Sequence, residues 1–145
     1  MRSKEYDNMF YLCWLVERFH RSTGIPHNDL VKKIGKHKLQ HIYDYADVYH
    51  SENPDQVVGE LAEELGLPVP PLFHELPEER KTPPFSKIAK SAARVINDVV
   101  SDDYVQGVYN YYSSFLPPIL ADTENNLYWS SKEYLVACYR ENAIL

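Results

Sequence analysis

"KEYDNMFYLCWLVERFHRSTG", Lys4 to Gly24, decides the fold class. Apolar residues recur at Tyr6, Met9, Phe10, Cys13, Leu15, Val16 and Phe19, the spacing of one helix face. Leu12 and Trp14 widen that stripe, so this helix is expected to be buried on more than one side. Gly24 supplies a C-terminal stop, and Ile25-Pro26 cannot continue the helix.

The pattern continues outward in the same style. "HNDLVKKIG" reads as a short helix capped by Asn28 and ended by Gly35, with Leu30, Val31 and Ile34 on its apolar face. A further helix is expected from Lys36 or His37 to about Tyr49, with Leu39, Ile42, Ala46 and Tyr49 facing inward. "SENPDQVVGELAEELG" places Asn53 at the cap, Pro54 at the first helical position and Gln56 in a capping box. Val57, Leu61 and Leu65 form its buried face. In the second half, "FSKIAKSAARVINDVV" aligns Ile88, Ala92, Val95, Ile96 and Val99. "DDYVQGVYNYYSSFL" adds Val105, Val108, Tyr109, Tyr112 and Leu116, with Pro117-Pro118 as the expected stop. "ADTENN" reads as a polar turn. Ser130 and Glu133 suggest a capping box for "SKEYLVACYREN", the last helix.

The expected fold is therefore all-α, a multi-helix bundle of about six to seven helices in two packed blocks. Residues 1–66 form the N-terminal block and 85–145 the C-terminal block. Residues 67–84, "LPVPPLFHELPEERKTPP", form the proline-rich connection. Six prolines exclude a regular helix there, and an extended, partly polyproline path is expected, docked through Leu72, Phe73 and Leu76.

Charge and composition narrow the function. The chain carries a formal charge of −6 and twelve tyrosines against five phenylalanines. Residues 1–50 hold eight Lys/Arg against six Asp/Glu, and residues 51–145 hold seven against fifteen. An acidic chain is a poor default binder of nucleic acid, although its first third is locally basic. Tyrosine-rich helices suit a protein-contact surface as well as a shallow core. Cys13 and Cys138 sit in apolar stretches and read as buried free thiols in a reducing compartment, with one disulfide as the alternative. The longest apolar run, Met9–Val16, falls short of the ~20 residues a membrane span needs. A cytoplasmic protein without membrane association is the expectation.

Chemistry is sparse. "GKHKLQHIYDYADVYH" places His37, His41 and Asp44 in one helical sector, a candidate metal site for a metal-dependent enzyme. "HKLQH" lacks the glutamate of the zincin pattern, and the sector faces away from the apolar side, so a solvated face is the preferred reading. The same region offers a helix-turn-helix alternative. There Lys32, Lys33, Lys36 and Lys38 contact phosphates, and Gln40 points with His41 into a groove. Asp44 and Asp47 count against it. His50 is expected at a helix end, stabilising the dipole or donating to a loop carbonyl. No glycine-rich phosphate loop and no GxSxG elbow occurs. No catalytic residue and no cofactor is expected.

From "FYLCWLVERF" through "GELAEEL", about residues 8–66, the order of elements resembles a family of small bacterial helical proteins of unknown function. Its members are often encoded beside toxin-like genes. The matching positions are Glu17, Leu30, Ile42, Tyr45, Tyr49 and His50. The resemblance implies a helical fold and an accessory or antitoxin-like role with a toxin-like protein as partner. The leading expectation is thus a non-catalytic protein-interaction module. DNA binding is the alternative, and a metal-dependent enzyme stands third.

Overall fold

The computed structural model describes residues 3–69, 75, 85–100, 102–122 and 127–145. Most of the proline-rich connection, with Leu72, Phe73 and Leu76, and most of the "ADTENN" turn lie outside the described residues. Among those described there are eight α-helices and no strand. The fold is an all-α multi-helix bundle.

The opening helix, α1 (Lys4–Thr23), starts where the Ser3 hydroxyl accepts the Tyr6 amide. It ends at Gly24, whose φ of 75° lets its amide reach back to the His20 carbonyl. From Tyr11 to Phe19 every residue except Trp14 is buried. A helix enclosed on that scale is a central post, and the other helices are arranged by what they cover on it.

Next come α2 (His27–Asp44) and α3 (Ala46–Ser51). Helix α2 contains a break: Gly35 takes φ 79° and ψ 154°, a conformation open only to glycine. The two segments expected on either side of Gly35 are thus present, joined through a single non-helical residue. The first begins at His27 with Pro26 as the cap residue. Asn28, expected as the cap, instead accepts the Asp29 amide. The helix expected to run on to Tyr49 breaks at Tyr45, which bonds back to His41 and leaves helical geometry before α3 begins.

Helix α4 (Pro54–Leu65) follows its sequence closely: Asn53 accepts the amides of Asp55 and Gln56, and Gly66 closes the helix at φ 70°. Its capping box is incomplete, because the Gln56 amide turns to Glu60. Helix α5 (Phe85–Val99) buries Ile88, Ala92, Val95 and Ile96 as expected, plus Phe85, Ala89 and Ala93. Helix α6 (Tyr104–Tyr112) is capped by Asp103 and buries Tyr111 as well as Tyr112. Pro117 and Pro118 do not stop a helix but open one, α7 (Leu116–Ala121), because proline lacks only an amide that the first turn leaves unbonded. After a 3₁₀ turn at Leu127–Trp129, α8 (Lys132–Glu141) is capped by Ser131 rather than Ser130. Tyr134 supplies the bonded amide there, so Ser130–Glu133 is not a capping box.

One buried cluster runs through both sequence blocks. Helix α1 packs against α2 and α3 from its own block and against α5 and α6 from the other. Helix α5 in turn supports α6, α7 and α8. Both cysteines are buried and free. No helix among the described residues is long and apolar enough to cross a membrane.

Candidate functional site

Two polar constellations stand out, one closed and one open. The closed one lies where α1, α2 and α6 meet. Glu17, 2% exposed, accepts from His27 Nε2 at 3.0 Å and from the Tyr112 hydroxyl at 2.9 Å, one donor on each carboxylate oxygen. The Tyr112 hydroxyl also lies 3.5 Å from the Cys13 carbonyl. His20 stacks on His27 with ring centres 3.9 Å apart, and its Nδ1–H donates to the Ile25 carbonyl at 2.8 Å. Burial, and then the neighbouring His27, hold His20 below the usual histidine range. Burial and then Glu17 push the Tyr111 and Tyr112 hydroxyls well up, so both stay neutral. The Cys13 thiol is raised for the same two reasons and is no nucleophile.

Beside this cluster, Arg18 is 1% exposed. It donates to Ser22 at 2.7 Å and to Asp55 at the start of α4, and its guanidinium lies over the Phe85 ring. Burial lowers its pKa while Asp55 opposes that shift. Glu17, Arg18, Ser22 and His27 are buried, and the contacts of these groups tie α1 to α2, α4 and α6. Neither Arg18 nor the pair of histidines at positions 20 and 27 stood out from the sequence. The available signal was "VERFH": two charged residues set inside the most apolar stripe of the chain.

The open constellation is a cleft of about 730 Å³ between α1, α3 and α5. Helix α1 lends Asp7, Asn8, Phe10, Tyr11 and Trp14, which the helical repeat brings to one side. Helix α3 and the turn after it add Ala46, Asp47, Tyr49, His50, Ser51 and Glu52, and Pro54 opens α4. Ser86 and Lys90, one turn apart on α5, form the facing wall.

Aromatic rings shape this cleft. Tyr11 and Trp14 stack with centres 5.7 Å apart and planes 14° apart. His50 meets Tyr11 edge-on at 5.7 Å, and Trp14 rests on Phe85 at 5.3 Å. Burial, then Glu52 and Tyr49, push the Tyr11 hydroxyl up, so it stays a neutral donor. At the rim Lys4 pairs with Asp47 at 2.9 Å, both side chains 70% exposed. His50 occupies the last turn of α3, the helix-end position expected for it. Of the residues in the family-like pattern, Tyr49 and His50 line the cleft, whereas Tyr45 is 54% exposed outside it.

The other sequence candidates are dispersed. His37, His41 and Asp44 are all exposed. The His41 ring lies against Tyr45 and Tyr49, and Asp44 accepts from Gln40. Among the described residues no three His, Cys, Asp or Glu side chains gather as a metal site. Lys32 and Lys33 are exposed on the first half of α2. Lys36 reaches Gln106 at 3.3 Å and lies over the Tyr109 ring, and Lys38 pairs with Glu64 at 2.8 Å. Half of the proposed phosphate contacts therefore already have neighbours within the fold.

No protein-family model, curated protein or solved structure matches the chain.

Proposed function

We propose that the protein is a non-catalytic protein-interaction module whose contact surface is the cleft between α1, α3 and α5. The observation that carries this reading is the aromatic wall of Phe10, Tyr11, Trp14 and Tyr49, open on one side and set among polar groups. Aromatic side chains give large contact area at small entropic cost, which is why they anchor protein interfaces. The groups best suited to acid–base chemistry, Glu17 and His27, are sealed in the core and hold helices. The resemblance of residues 8–66 to proteins encoded beside toxin-like genes favours an antitoxin-like role, with a toxin-like protein as the partner in a bacterial cytoplasm.

Site-specific photo-crosslinking tests it. A crosslinker at Asn8, inside the cleft, is expected to capture one identifiable protein from native cells, and a crosslinker at Glu141 on α8 is not. The captured protein, purified, binds the intact chain and loses that binding with Tyr49→Ala. Equal capture from both positions, or none from Asn8, overturns the reading.

A helix-turn-helix regulator is the second reading. It is favoured by the Gly35 break between two helical segments and by the exposure of Lys32 and Lys33. Binding to its own promoter would weaken steeply with salt, and salt-insensitive or absent binding removes it.

A further inference from the structure

We draw no further inference here: the strongest candidate, the aromatic-lined cleft between α1, α3 and α5, belongs to the site already described, and nothing in the structure shows what covers it.

Discussion

His27 Nε2 lies 3.0 Å from Glu17 Oε1, and both side chains are buried. This contact joins α2 to α1, and through the other carboxylate oxygen Tyr112 adds α6. Removing the carboxylate strands two buried donors at once. Glu17→Ala should therefore destabilise the fold by about 2–5 kcal/mol in urea unfolding. Tyr112→Phe removes one donor and should cost about 1–3 kcal/mol. A Glu17→Ala effect no larger than that of Tyr112→Phe would contradict a shared acceptor.

His20 gives the fold a pH dependence. Its folded pKa is lowered, chiefly by burial and then by His27. The stability linked to its neutral form is complete above the unfolded value of about 6.5 and is lost as pH falls from there through the folded value. The facing groups are His27, Glu17, Arg21 and the Ile25 carbonyl. Urea midpoints should fall between pH 7.5 and 5.5 by roughly the amount that linkage allows. His20→Gln should flatten that decline, and an equally steep profile in the variant would assign it to another group.

Glycines separate by backbone geometry. Gly35→Ala forces a side chain into φ 79° and ψ 154° and should cost about 1–3 kcal/mol. Gly59, inside α4 with open space where a Cβ would go, should respond oppositely: Ala there should stabilise by about 0.5–1 kcal/mol. At Gly107 a Cβ would lie 2.7 Å from a Val100 methyl, so Ala should destabilise there as well. Thermal melts of the three variants check the signs.

Arg18 is buried with Asp55 as its anionic neighbour. Asp55→Ala removes the opposing charge and should cost about 2–4 kcal/mol. Arg18→Met, which exchanges the cation for an apolar chain of similar length, should cost less. Equal losses in the two variants would show that packing, rather than charge, dominates at this position.

Helices announced themselves in the sequence through periodicity and caps. Ser3 was silent, but Gly24, Asn53, Pro54 and Gly66 read directly onto structure, because each acts locally. Boundaries failed where two local rules competed. Pro117-Pro118 reads equally as a stop or a start, and only the packing of Leu116 and Leu120 selects the start. Tyr45 carries no breaker signature, yet the chain leaves the helix there. The cleft was largely illegible for a different reason. Its parts come from α1, α3 and α5, and nothing local tells Trp14 that it will face Ser86 and Lys90. His50 was visible as a helix-end residue, whereas its contact with Tyr11 depends on the tertiary arrangement.

The enclosure of α1 sets an order of events during synthesis. Its Glu17 and Cys13 contacts with Tyr112 span 95 and 99 positions of sequence. The longest described helix is thus made before α5 and α6 and receives them only after they have emerged. Until then its outer face is bare, and non-local closure of this kind is slow and prone to aggregation.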